Sequence, residues 1–217
     1  MYSTLFKSSD FHKDSISFFK NKNVIVTGGT GFIGSHVVEQ LLTLQSKPIV
    51  LSKNLNKNFL LSCKDDIEIL EVDLFDKSKV IKAMKKADIV LHLAASVAGI
   101  EYNSKHPATI FKDNLEMFMN TIDAAANSNN IERFLVTSSA CVYPRHCSIP
   151  TQEEEGVMGE PEPTNSGYGW SKRMEEYLGK KYNEEYDLSV AIARPYNAYG
   201  PRDNFKKEMS HVIPSLI

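Results

Sequence analysis

Short apolar runs alternate with helically spaced apolar positions along most of this chain. Asn23-Val-Ile-Val-Thr27 is nearly all apolar and stops at glycines, the pattern of a strand buried on both faces. Across 32–44 the apolar residues Ile33, Val37, Val38, Leu41 and Leu42 recur at helical spacing. Pro48-Ile-Val-Leu51 and Ile67-Glu-Ile-Leu-Glu-Val72 predict the next strands, and residues 77–86 predict a helix with a lysine-rich outer face. Further on, Asp88-Ile-Val-Leu-His-Leu93 reads as a strand, 114–126 lies within a helix, and Arg133-Phe-Leu-Val-Thr-Ser138 reads as another strand. A helix carrying Tyr168 precedes a sixth strand, Leu188-Ser-Val-Ala-Ile-Ala193. Strands that alternate with helices in this way predict an α/β fold, a doubly wound parallel sheet.

Outside that alternation lie three segments. Residues 1–20 are polar with scattered phenylalanines and read as an N-terminal extension, with at most a short helix. Residues 144–165 form a long loop rich in Pro, Glu and Gly, a length often tied to function. Within it Glu153-Glu-Glu155 reads as a solvated acidic run rather than a metal site.

Composition narrows the class. The 217 residues can bury one sizeable core, with 42% apolar and 24% charged residues as in ordinary globular proteins. A net charge of −2 with interspersed signs leaves no nucleic-acid footprint. No apolar run approaches the ~20 residues that span a bilayer, and Met1-Tyr-Ser-Thr-Leu-Phe-Lys7 lacks the features of a signal peptide. Cys63, Cys141 and Cys147 are odd in number and lack metal-ligand spacing, which fits a reducing compartment. The expectation is a cytoplasmic protein with no metal and no membrane partner.

Thr27-Gly-Gly-Thr-Gly-Phe-Ile-Gly34 places Gly28, Gly31 and Gly34 between a predicted strand and a predicted helix. Glycines there allow a tight turn, backbone approach to a pyrophosphate, and close helix–strand packing, while the helix N-terminus faces the phosphates. Phe32 and Ile33, which open that helix, join the expected cofactor contacts. After the second strand an acidic residue would favour NAD; this chain has Ser52 and Lys53, which leans to the 2′-phosphate of NADP. Lys53 reads equally as a solvated loop lysine. Asp73-Leu74 is a candidate adenine contact, or a turn or helix-cap aspartate.

Tyr168 and Lys172, four residues apart in Ser166-Gly-Tyr-Gly-Trp-Ser-Lys172, project from one helix face. A phenol titrates at about 10, and a neighbouring ammonium draws that value down, which suits a proton shuttle. With Ser139 in Val136-Thr-Ser-Ser-Ala-Cys-Val-Tyr-Pro144 and with Arg194-Pro-Tyr-Asn-Ala-Tyr-Gly-Pro201, the chain resembles the extended short-chain dehydrogenase/reductases, the NAD-dependent epimerase/dehydratase group acting on nucleotide sugars. The resemblance runs from Asn23 to the last residue. It implies a Rossmann-type fold, a nicotinamide cofactor touching Ala94, Ala95, Asn114, Lys172 and Pro195, and substrate contacts at Ser139, Tyr168 and Asn197. Ser139 would hydrogen-bond the substrate oxygen, Tyr168 would exchange the proton, and Lys172 would hold the ribose.

Within the group, Val97-Ala-Gly-Ile100, Ser139-Ala-Cys141, Glu162-Pro-Thr-Asn165, Gly200-Pro-Arg-Asp-Asn-Phe205 and Ser210-His-Val-Ile-Pro214 resemble the GDP-L-fucose synthase branch. That likeness implies 3,5-epimerisation of a 4-keto sugar with Cys141 and His211 as the acid–base pair, then 4-reduction. A thiol and an imidazole titrate at about 8.5 and about 6.5, so both can move protons close to neutral pH. Cys141 read alone is a small strand-end residue, and His211 a surface histidine. Alternatives are a UDP- or dTDP-sugar 4-epimerase or dehydratase with bound NAD, and a non-catalytic dinucleotide-binding protein. Two departures stand out: Ala98 replaces a usual glycine, and the segment between the second and third strands is longer than expected. The resemblance also implies a homodimer formed through the helices of Asn114 and Tyr168. By the same likeness, 21–195 is the dinucleotide-binding domain and 196–217 the start of a substrate lobe that is largely absent, so that the chain is expected to be a fragment.

Overall fold

The computed structural model describes residues 7–55, 58–97, 100–205 and 212–216. A short helix α1 (Lys13–Phe19) leads into β1 (Asn23–Thr27), α2 (Phe32–Thr43), β2 (Lys47–Ser52) and β3 (Glu68–Glu71). Then come α3 (Lys77–Met84), β4 (Ile89–His92), α4 (Ile100–Lys105) and α5 (Pro107–Ala126). Next are β5 (Arg133–Thr137), α6 (Ser166–Tyr186), β6 (Val190–Ala193) and α7 (Val212–Leu216).

All six strands are parallel, in the order β3-β2-β1-β4-β5-β6. The doubly wound sheet expected from the alternation is the one observed. β1 is central, with Ile25 in register with Ile49 on one side and Val90 on the other. The chain reverses its winding direction between β1 and β4, and in such sheets the crevice beyond the strand ends at that switch receives the ligand.

Side-chain alternation along the strands feeds two cores. On one face Ile25, Val90, Phe134 and Val136 pack with Val80 and Met84 of α3 and Phe118 and Ile122 of α5, with Leu178 and Tyr182 of α6 at the margin. On the other, Val24, Val26, Ile89 and Leu91 meet Val38 and Leu41 of α2. The longer segment between β2 and β3 forms a 3-10 stretch (Asn58–Asp66) that adds Leu60 and Cys63 to this second core. Phe18 and Phe19 of α1 pack against it as well. At the outer edge, Ala191 and Ala193 of β6 are exposed. Among the described residues no helix is long and apolar enough to cross a membrane.

Candidate active site

The turn after β1 is made of backbone. Gly28 has φ +67°, and a Cβ there would come within 2.9 Å of the Ala94 backbone, so only glycine lets the β1 and β4 ends approach. The Gly31 amide donates to the Gly28 carbonyl at 2.9 Å, and Gly31 caps α2 without a side chain. Gly34 is buried one turn in, and Ile33 is exposed. The first turn of α2 carries no acidic residue, so the positive helix end keeps its charge for an anion.

Thr27, which the motif reading passed over, ties this turn to β4. Its buried hydroxyl accepts from the Leu93 and Ala94 amides, each at 3.1 Å, and bonds His92 Nδ1 at 3.2 Å. His92 is fully buried against Phe118 and Phe134, and burial followed by the Lys172 charge lowers its pKa to about 3. A neutral imidazole is therefore part of the core. At the β2 end, Ser52 Oγ donates to the Asn54 carbonyl at 2.9 Å, so the 3.1 Å contact with Thr30 has Thr30 as donor. Lys53 is exposed. Asp73 Oδ1 accepts from the Phe75 amide at 3.1 Å, forming a turn, while the Leu74 side chain lies in the core. Ala94 is half-buried and Ala95 exposed. Asn114 is buried with both amide atoms engaged: Oδ1 accepts from the Ser96 amide at 2.8 Å, and Nδ2 donates to the Ser96 and Ile110 carbonyls. It shapes the chain after β4.

Beyond β5 the construction changes to side chains. Ser139 caps a 3-10 turn (Ala140–Val142), accepting from the Cys141 amide at 3.2 Å, and its hydroxyl lies beside the Tyr168 phenol. The close approach depends on Gly169, where a Cβ would strike the Cys141 carbonyl and come within 2.7 Å of Pro161. Lys172 Nζ lies 5.6 Å from the Tyr168 ring centre. Ser139, Tyr168, Lys172 and Cys141, chosen from the sequence, thus converge at one place. Cys141 is half-buried, and Asn165 Nδ2 donates to its sulfur at 3.2 Å. Asn165 Oδ1 in turn accepts from Asn103 Nδ2 at 2.7 Å, which orients the amide. The Pro195 carbonyl accepts from the Ala140 amide at 3.1 Å, and Asn197 is exposed. His211 and Ala98 lie outside the described residues.

Charges that the sequence reading passed over are buried around this centre. Glu175, 0% exposed, accepts from Lys172 Nζ at 2.8 Å. Glu176 accepts two bonds from Arg194 at 2.7 Å each and one from Ser138 Oγ at 2.5 Å. Arg194 also donates to the Tyr143 hydroxyl and the Glu153 carbonyl. Arg173 fastens the long loop through the Val142, Met158 and Gly159 carbonyls. The 153–155 run is only partly solvated: Glu155 accepts from Ser148 and Gln152 and knots the loop. The i+3 and i+4 spacing from Lys172 was the available signal for Glu175 and Glu176.

Electrostatics at Tyr168 run against the simple expectation. Burial pushes the phenol above its ordinary value; Lys172 pulls it down, but Glu175 pushes it back up, and the net direction is upward. For Lys172 burial presses downward, yet Glu175 and Tyr168 outweigh it and the ammonium is held.

The arrangement joins an anion-receptive helix end to a hydroxyl, a phenol, an ammonium and a thiol. That inventory fits a dinucleotide in the crevice, with glycine backbone for its phosphates. Comparison with known proteins agrees. A sequence model described as the NAD dependent epimerase/dehydratase family matches residues 24–217. GDP-L-fucose synthase from Dictyostelium discoideum is 31% identical over 196 residues, covering 90% of this chain and 58% of that protein. Among solved structures, the UDP-N-acetylglucosamine 4-epimerase of Methanobrevibacter ruminantium in complex with UDP-N-acetylmuramic acid has a TM-score of 0.77 and 30% identity, covering 90% of this chain and 61% of that one. A GDP-L-fucose synthetase from Naegleria fowleri bound to NADP has a TM-score of 0.72 and 27% identity, covering 91% and 57%. The chain thus spans little more than half the length of the relatives it matches, and it belongs to the NAD-dependent epimerase/dehydratase family.

Proposed function

We propose that this chain serves a nucleotide-sugar epimerase–reductase of the GDP-L-fucose synthase type. The observation that carries this reading is Cys141: its sulfur stands beside Ser139 and Tyr168 and accepts a hydrogen bond from Asn165 Nδ2. A keto group at C4 acidifies the hydrogens on C3 and C5. A thiol beside the groups that hold the ketone oxygen can exchange those protons, while Ser139 and Tyr168 stabilise the enolate. The bound nicotinamide would supply hydride to C4. Tyr168 then gives its proton to the new alkoxide, and Lys172 orients the ribose. His211 is the proposed partner of Cys141, and Asn197 a substrate contact.

NADP is the favoured cofactor, because Ser52 and Lys53 at the β2 end offer hydroxyl and ammonium groups and no carboxylate. A shallow apolar groove on the outer faces of α5 and α6, lined by Pro107, Phe111, Gly167, Trp170 and Met174, supports a homodimer through those helices. The structural likeness to UDP-sugar 4-epimerases favours a second reading, 4-epimerisation with recycled NAD.

The test is incubation with NADPH and GDP-4-keto-6-deoxymannose in deuterated water. Net NADPH oxidation with deuterium at C3 and C5 supports the reading, and Cys141→Ser should abolish the deuterium incorporation. UDP-sugar 4-epimerisation without net cofactor oxidation would replace it with the second reading.

A further inference from the structure

The Lys172–Glu175 pair has no explanation in the steps above. Both side chains are sealed, at 2% and 1% exposure, with Nζ 2.8 Å from Glu175 Oε2. Glu175 Oε1 has no hydrogen-bond partner among the described residues. A buried ion pair is a poor source of stability, since an apolar pair of similar volume usually serves as well or better. A carboxylate with one bare oxygen is poorer still. What such a pair does change is the field at its neighbours. One titratable neighbour is Tyr168, one turn back on the same helix face, with Lys172 Nζ 5.6 Å from its ring.

We infer that Glu175 is a positioning residue for proton transfer: by holding the Lys172 ammonium it offsets that charge at Tyr168 and sets the phenol to donate a proton rather than accept one. The other groups facing the centre are few. Cys141 and Ser139 approach from the 3-10 turn after β5, and Glu175 and Glu176 belong to α6 itself. His92 approaches from β4 and is neutral, while Glu176 is already engaged by Arg194 and Ser138. Among the described residues Lys172 is therefore the one cation acting on Tyr168, and Glu175 is the carboxyl group bonded to it, its pKa raised by burial against the pull of Lys172.

A phenol beside an unopposed ammonium releases its proton readily, which suits oxidation of an alcohol. With that ammonium neutralised the phenol keeps its proton, which suits delivery to a reduced ketone. This direction rests on the epimerase–reductase reading; the offset at Tyr168 does not. Both Lys172 and Tyr168 keep the roles given above, and Glu175 acts only through them.

The experiment is a pH titration of Tyr168 by NMR of protein carrying ring-¹³C tyrosine, its signal identified by absence in Tyr168→Phe. In the wild-type chain the midpoint should lie at or above the ordinary phenol value of about 10. Glu175→Gln should lower it by about one unit or more, the usual effect of an unopposed neighbouring charge. Glu175→Asp, which keeps the charge, should restore most of the difference. A wild-type midpoint below about 9, or an unchanged midpoint in a folded Glu175→Gln, overturns the inference. The wild-type measurement decides the matter even where Glu175→Gln does not fold. Absence of NADPH oxidation alongside a shifted midpoint would remove the proposed reaction and leave the role of Glu175 standing.

Discussion

The turn after β1 and the turn after β5 lie at the same edge of one sheet, yet they are built from different materials. The first uses glycine backbone and a helix end, and its hydrogen bonds run from main chain to main chain, from main chain to the Thr27 hydroxyl, or between the neutral hydroxyls of Thr30 and Ser52. Around the second, α6 buries Ser171, Lys172, Arg173, Glu175 and Glu176 within six positions. A phosphate already carries its full charge and needs only oriented dipoles. Proton transfer needs groups whose affinities for a proton are set by their surroundings, and that requires charges removed from water.

The sharpest way to break this comparison is Tyr168→Phe. Turnover should fall by about 10²–10⁴-fold, the usual contribution of a proton donor, with NADPH affinity by fluorescence titration unchanged. An equal loss of affinity would mean that the two ends are not separable. Next in size is Glu176→Ala, which strands Arg194 and Ser138. It should cost about 3 kcal/mol in urea denaturation, where exposed pairs such as Lys181–Glu184 cost a fraction of that.

A smaller effect separates the core from the site by pH. The imidazole of His92 gains its proton at about 6.5 when unfolded but only at about 3 when folded. Between those values the unfolded chain binds more protons, so stability falls as pH drops from about 6.5 toward about 3. Urea midpoints at pH 7 and pH 5 should show the drop, and His92→Phe should flatten it. Smallest is Lys53→Ala, expected to weaken NADPH relative to NADH by several-fold, about 1 kcal/mol as for an exposed ion pair. Equal weakening of both would remove the preference for NADP.

Legibility followed the same division. β1, β2 and β4 were readable because strands sealed on both faces leave unbroken apolar runs, and the glycine turn because only one residue type meets its steric demand. α4 and the 3-10 stretch at Asn58–Asp66 were not read, since their polar residues dilute the periodicity. Of the chemical groups, Tyr168 and Lys172 were singled out by their helical spacing, and Ser139 and Cys141 by the family resemblance. Arg173, Glu175 and Glu176 were not, because a charged residue on a helix reads as facing water until a partner is known. Glu175 pairs with Lys172 on the same helix, but the partners of Arg173 and Glu176 are Val142, Met158, Gly159, Ser138 and Arg194, distant in sequence.

The fastening of that loop by Arg173 bears on affinity. A segment that orders only when a ligand arrives subtracts its lost rotational freedom from the binding free energy. Here Arg173, 5% exposed and bonded through its guanidinium to three carbonyls, already holds Val142, Met158 and Gly159 together. The entropy of ordering these residues is settled during folding, so their shape is set before any ligand arrives.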